Sequence, residues 1–510
     1  MRLEMLKRVV CVSFLVIISG GLEAKETQLT IYNQNFAVVK ENRNFELTKG
    51  ENELRVTDIT AYLDPESVIL RDLEDPNSLR ILEQNYESDP LSESFLLRKA
   101  EGKTLDFEVT NPKTGEKEII KAKIIRSGYI PRSYYNIYSP QYYQQGYQQQ
   151  QAQQPIVEVN GKIHFGLPGR PIFDSLEPGS FLKPTLLWKL WTVKAGKRNV
   201  EFSYITNEMS WIASYNLIMP EKGDKFDCIG WITINNSTDK EFEKASVKLI
   251  AGDVAKLQPQ QRMDGARKMA YSGTVQEQAV AVTERAFEEY HLYTLPRQVT
   301  ILDKEIKQIE FIHANEVPFQ RFYVYDGFRI DEQYRHWDYY SIRERADYGT
   351  QCNKKVWVML EFKNSEKNYL GIPLPKGKMK IYRRDIDGRN EFIGEDQIDH
   401  TPKDEMVRVY MGNAFDIVGE RKQTNFKIGN ITGRTDVNRY IDESFEIKLR
   451  NHKKKDISVK VIEHLYRWYN WEIKDESSLY LKKDSKTIEF LVNVPSNGEK
   501  VITYSVHYTW

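Results

Sequence analysis

Six ionisable side chains crowd the stretch from Gly394 to Glu405: Glu395, Asp396, Asp399, His400, Asp404 and Glu405. Carboxylates beside an imidazole are the chemistry of a calcium or zinc site, and two carboxylates at the right separation are the chemistry of glycoside hydrolysis. The spacing here follows no ligand code, and Asp residues around the Thr401-Pro402 dipeptide also serve as turn formers. Asp385-Ile386-Asp387-Gly388 shares the start of a calcium loop but lacks its later acidic positions and closing Glu, so it reads as a turn. Gly371 to Lys378 has the outline of a phosphate loop. Five residues rather than four separate Gly371 from Gly377, Pro373 and Pro375 remove backbone donors, and Met379 stands where Ser or Thr would hold magnesium. No G-x-S-x-G, H-E-x-x-H or C-x-x-C pattern occurs, which leaves serine-hydrolase, zinc-protease and thiol-redox chemistry without a motif. Trp337, Tyr339 and Tyr340 beside His336 could stack on sugar rings, although core packing uses the same residues. The basic run Arg450 to Lys455 reads as a solvated hairpin tip. On this reading no residue is assigned as catalytic, cofactor-binding or metal-ligating, and no cofactor is implied.

The elements that would position these groups are β-strands. Aromatic residues make up 12% of the 510, with 30 Tyr and 9 Trp, a composition suited to pleated, half-buried surfaces. Lys and Arg number 73 and so do Asp and Glu, so the basic excess of a nucleic-acid-binding protein is missing. Met1 to Ala24 has Arg2, Lys7 and Arg8, then an apolar run from Val9 to Ile18, then small residues, the layout of a secretory signal peptide cut after Ala24 or Gly21. The alternative, a membrane anchor, is disfavoured because the run is shorter than the ~20 residues of a spanning helix. After cleavage Cys228 and Cys352 would remain, in an oxidising compartment where they could pair or stay as free thiols.

Along the chain, Thr27 to Val39 and Arg43 to Val56 read as two strands, followed by Ser67 to Leu73 after the Asp64-Pro65 break. Short strands lie at Leu105 to Val109, Glu118 to Ile125, Ile156 to Val159 and Ile163 to Phe165, with Asn160-Gly161 as a tight turn. Tyr134 to Gln154 is a Tyr/Gln-rich segment with Ile137 and Ala152 as its few aliphatic residues and is expected to be disordered. From Pro184 to Ile250 the alternation suits a sandwich. Lys256 to Thr283 then loses periodicity and reads as a mobile or partly helical linker. Asp387-Gly388 closes a hairpin between Lys378 to Arg383 and Glu391 to Ile393, ahead of an acidic loop, Gly394 to Glu405, and a short run, Met406 to Met411. After Arg421 a polar loop leads to strands from Glu443 to Trp510 that suggest an immunoglobulin-like module. The expected fold is all-β, with β-sandwich, immunoglobulin-like and small-barrel modules in tandem. The expected divisions are a signal peptide at 1–24, amino-terminal β modules at 25–190, a sandwich core at 191–440 and a carboxy-terminal module at 441–510.

The phrases P-L-P-K-G-K, Y-R-R-D-I-D-G, F-I-G-E-D-Q-I-D-H-T-P-K-D-E and G-N-A-F-D-I-V-G-E-R-K-Q-T between Pro373 and Thr424 carry a resemblance. So do S-Y-I-T-N-E-M-S-W-I-A-S-Y (Ser203 to Tyr215), G-W-I-T-I-N-N-S-T (Gly230 to Thr238), A-G-D-V (Ala251 to Val254) and E-Y-H-L-Y-T-L-P (Glu289 to Pro296). Together they resemble the bacterial domain-of-unknown-function 4139 family, some members of which are labelled mucoidy-inhibitor-like, over most of Val200 to Trp510. The first strands are similar to the β module that often precedes that domain. The resemblance implies an exported, β-rich protein and brings no established activity. The expected function is that of a non-enzymatic envelope or extracellular scaffold or binding protein, periplasmic or secreted, with a protein or glycan partner and no nucleic acid. The alternative is an enzyme acting on envelope polysaccharide through the carboxylates of 394–405.

Overall fold

The structure is a computed structural model that describes residues 26–87, 93–110, 114–129, 154–173, 183–252, 283–287, 290–329, 339–430 and 439–510. The signal-peptide stretch, nearly all of the Tyr/Gln-rich segment and of the 256–283 linker, and His336 and Trp337 lie outside the described residues. The protein is all-β, with 66% of the described residues in strand and 4% in helix, and no described helix is long and apolar enough to cross a membrane. The chain forms two compact units, Met1–Trp211 with Thr233–Lys307, and Ile212–Ile232 with Gln308–Trp510.

In the first unit, an eight-stranded sheet places Phe242–Ala251, Thr27–Tyr32, Phe36–Leu47 and Gly196–Asn207 side by side. A three-stranded sheet of Gly50–Val56, Thr185–Thr192 and Leu79–Glu87 is packed on it. Trp188 of the small sheet meets Phe45 and Phe202 of the large one edge-on, at centroid separations of 6.3 and 5.2 Å, and all three are buried. Such aromatic contacts add about 0.5–1.5 kcal/mol each to area burial. The first long run breaks at Asn33–Asn35, where Asn35 takes φ 62°, so the strands are Thr27–Tyr32 and Phe36–Leu47. The expected break seven residues later is corrected by Asn35, whose short polar side chain tolerates the left-handed region. A separate five-stranded sheet of short strands buries Phe107, Ile124 and Val157 with the helix Glu93–Lys99. Its last hairpin turns at Asn160 and Gly161, φ 51° and 74°, as the dipeptide requires.

The second unit contains a five-stranded sheet in the order Glu305–Pro318, Lys225–Asn236, Met209–Met219, Gly377–Arg384, Asn390–Ile398. The last two strands are the hairpin expected around Asp387-Gly388, and Gly388 sits at φ 84°. Beside it, nine strands form one sheet folded on itself: Trp471–Glu476, Gly498–Thr509, Arg439–Asn451, Met406–Asn430, Lys355–Lys363, Gln320–Asp326, Ile457–His464, Thr487–Val494 and Tyr480–Lys482. Phe490 and Tyr504, from its two halves, meet across the interior at 5.8 Å. The strands after Glu443 thus share a sheet and a core with Gln320–Asp326, Lys355–Lys363 and Met406–Asn430.

Two expectations in this unit are corrected. The run from Met406 does not end at Met411. It continues for 25 residues to Asn430, because Arg439–Asn451 pairs with its whole second half. The basic run 450–455 is not a hairpin tip, since the strands it joins pair with different neighbours. Asn451 fixes that connection by donating to the carbonyls of Lys455 and Pro495, at 2.8 and 2.9 Å.

Candidate functional site

Only part of the acidic stretch is a loop. Gly394 to Ile398 continue the strand Asn390–Ile398, so successive side chains point to opposite faces rather than converging. Asp396 accepts the backbone N–H of Tyr410 at 2.7 Å and that of Gln397 at 2.8 Å, tying the hairpin to the long strand. Glu395 faces Lys378 across the hairpin at 3.5 Å, and Asp399 faces Lys376 at 3.1 Å. Nδ1 of His400 accepts the Lys376 N–H at 3.1 Å, which commits that nitrogen as an acceptor and places the ring beside the Leu374–Thr401 bridge. Asp387 accepts the Arg389 N–H at 3.0 Å, an Asx-type contact that shapes the turn. Among the described residues no group of three or more His, Cys, Asp or Glu side chains is arranged to hold a metal ion.

The turn ahead of the hairpin, Gly371 to Lys378, is organised by Asn364, which is fully buried. Its amide donates to the carbonyls of Ile372 and Pro402 at 2.8 and 3.0 Å and its oxygen accepts the Gly371 N–H at 3.0 Å. Gly371 at φ 92° packs against the Glu366 backbone so closely that a Cβ would clash there. The Gly371 to Lys378 stretch is therefore a buried turn and strand entry with its amides spent internally. Next to it an open cleft of about 660 Å³ is lined by Pro318, Lys363, Glu366, Lys403 and Asp404 among others. Glu366 and Lys403 pair at 2.5 Å, so much of the charge in this cleft is already satisfied.

The most unusual chemistry was absent from the expectations and lies inside the nine-stranded sheet. Arg421 and Glu463 pair at 2.9 Å, and Arg467 and Glu443 at 2.8 Å, with all four side chains buried. Tyr504 donates to Glu463 at 2.6 Å, and Gln423 donates to Glu443 at 2.8 Å. Arg467 also donates to the carbonyls of Ile342, Arg345 and Tyr348 at 2.5, 2.6 and 3.3 Å, holding the helix Tyr339–Glu344 and the turn after it. Burial alone would discourage the Arg421 charge, but Glu463 outweighs it and holds the guanidinium protonated. Burial, reinforced by Glu463, keeps the Tyr504 phenol neutral. Two positive and two negative charges thus cancel inside the core, the pattern of an ionic lock between strands.

Signals for this lock exist in the sequence. Glu443 falls in the buried register of Ile441, Phe445 and Ile447, and Glu463 in that of Val459 and Val461. An acidic residue at an apolar position of an alternating strand needs a buried cation. The first unit repeats the device. Glu41 and Arg43, both buried, pair at 2.5 Å, and Lys240 reaches Glu41 at 3.3 Å and Asp58 at 2.7 Å.

Cys228 and Cys352 are free thiols. Cys228 is buried and its thiol is pushed up to about 12 by desolvation. Cys352 accepts the Arg421 N–H at 3.1 Å and lies 3.4 Å from the Tyr325 hydroxyl. Of the aromatic row, Tyr339 and Tyr340 open the short helix. No family model matches this chain, and no curated protein matches it.

Proposed function

We propose that this chain is an exported, non-enzymatic scaffold or binding protein of a bacterial envelope, periplasmic or released, and a member of the domain-of-unknown-function 4139 family. The charged start and short apolar run of Met1 to Ala24 support export, and the residue phrases between Ser203 and Thr424 support the family. The observation that carries the non-enzymatic reading is the commitment of four of the six ionisable side chains of 394–405. Asp396 and His400 accept backbone amides, and Glu395 and Asp399 face lysines of the same hairpin region. A glycosidase pair would instead flank an open cleft about 5–10 Å apart.

The test has two arms. Mass spectrometry of protein from the bacterial host should show loss of the first 21 to 24 residues; an intact Met1 on cytoplasmic material would overturn export. Wild type and an Asp396→Asn, His400→Ala variant should release no reducing ends from envelope glycans. Cleavage by wild type that disappears in the folded variant would place the polysaccharide-acting enzyme ahead of the scaffold.

A further inference from the structure

We propose that one face of the eight-stranded sheet in the first unit binds an acidic oligosaccharide. This inference rests on the reading of the chain as a binding protein and names a class of ligand for it. The central strands Phe242–Ala251, Thr27–Tyr32 and Phe36–Leu47 bury Leu29, Ile31, Val39, Val247 and Leu249 on one side. Because strand side chains alternate, the opposite side is set by Gln28, Thr30, Lys40, Ser246 and Lys248. The register places Gln28 between Ser246 and Lys40, and Thr30 between Lys248 and Val38. The chain from Thr294 to Gln298 forms one wall of the resulting concavity, whose volume is about 380 Å³. That is within the roughly 300–1,000 Å³ of small-ligand sites.

The charged side chains lining this groove are Lys40, Lys248 and Arg297, all cationic. Lys40 is offset by Glu201 at 2.6 Å. Lys248 and Arg297 are exposed and have no carboxylate within ion-pair distance among the described residues. The whole chain carries no net charge, so this excess is local and favours an anion. The neutral lining combines apolar Val38, Leu295 and Pro296 with Thr30, Ser246 and Gln298, whose hydroxyl and amide groups both donate and accept, as sugar hydroxyls do.

The groove lies over paired interior strands, so their backbone groups are already used in the ladder. An acidic peptide in extended form gains its affinity by adding to a sheet edge, and the floor of this groove offers no such edge. A sugar with hydroxyls and carboxylates is satisfied by side chains alone. The cleft beside Lys403 lacks this bias, because Glu366 and Asp404 line it together with the lysines.

The test is titration calorimetry of the full chain with a galacturonate hexasaccharide at low salt. A neutral glucan hexasaccharide and a hexaglutamate peptide serve as comparisons. One hexagalacturonate should bind per chain, more weakly as salt rises, and the neutral glucan should not bind. The Lys248→Gln, Arg297→Gln double variant should lose about tenfold or more in affinity, since it removes two charge-assisted contacts. The two single variants should fall between, and they decide the matter if the double variant does not fold. Absence of hexagalacturonate binding to wild type, or equal affinity in the folded variants, overturns the proposal. Tighter binding of hexaglutamate with the same dependence on Lys248 and Arg297 overturns it in favour of an acidic peptide. Because purified protein is titrated, a failure of the export test leaves this result standing, and the reverse also holds.

Discussion

Nε of Arg421 lies 3.0 Å from one oxygen of Glu463 and 2.9 Å from the other, in an interior from which both side chains are shut off from solvent. The guanidinium carbon sits 3.9 Å from the centre of the Phe445 ring, and Tyr504 closes the other side of the carboxylate. The pair joins the long strand Met406–Asn430 to Ile457–His464, which are not neighbours in the sheet. It therefore clasps one half of the folded sheet to the other.

Removing one partner should leave an uncompensated buried charge. Arg421→Met is expected to destabilise the second unit by about 3–5 kcal/mol, measured by denaturant melts. Replacing both residues, as Arg421→Met with Glu463→Leu, should recover much of that loss, because a buried ion pair gains little over well-packed apolar groups. A double variant no better than the single one would show that the lock supplies more than charge balance.

Asp72 should set part of the acid limit of the first unit. Burial by itself would raise its pKa, but hydrogen bonds from Arg198, at 2.6 Å, from Ser78 and from the Glu74 and Asp75 amides hold it below the usual carboxylate range. Its stabilising contribution is present above the unfolded-state value, near 3.9, and disappears as pH falls through the lower folded value. Asp72→Asn should thus be less stable than wild type at neutral pH, with the gap closing in acid. An unchanged gap at low pH would show that packing, not charge, dominates at this site.

His464 behaves in the opposite sense. Its Nε2 lies 3.0 Å from Asp326, and that hydrogen bond, against the pull of burial, raises its pKa above the ordinary value. Glu463 adds to the rise and Arg421 opposes it. The contribution is full below the unfolded-state value, near 6.5, and is lost as pH climbs through the folded one. Thermal melts of wild type should accordingly weaken slightly on going from mildly acidic to alkaline buffer, and Asp326→Asn should flatten that slope. Half-exposed, the pair gives a modest effect.

Gly388 tests the hairpin. At φ 84° it occupies a region that L side chains resist, and a Cβ there would meet nothing within 4 Å. The penalty of substitution is therefore conformational, about 1 kcal/mol for Ala and more for the β-branched Gly388→Val. Metal content measured alongside should not differ between wild type and His400→Ala. Stoichiometric zinc or calcium lost from a folded His400 or Asp396 variant would contradict the turn-forming role of those residues.

The sequence by itself determined the class of fold. Period-two alternation at Val200, Phe202 and Tyr204 and at Tyr504, Val506 and Tyr508 requires one buried face, and those residues are buried. Asn160-Gly161 and Asp387-Gly388 fixed their turns because their backbone demands are local. What only the tertiary structure decided depends on partners far along the chain. The extension of Met406–Asn430 beyond Met411 was hidden because Arg421 and Gln423 occupy inward positions, so the alternation carries polar residues where apolar ones are sought. Glu443 and Arg467, and Glu463 and Arg421, cancel one another over 24 and 42 positions, and no local pattern states which cation a buried carboxylate will meet. Glu395 and Asp396 are adjacent in sequence, yet the strand through Ile398 sends them to opposite faces, one to Lys378 and the other to the Tyr410 amide. Proximity along the chain grouped these two carboxylates, and the pleat of the strand separates them.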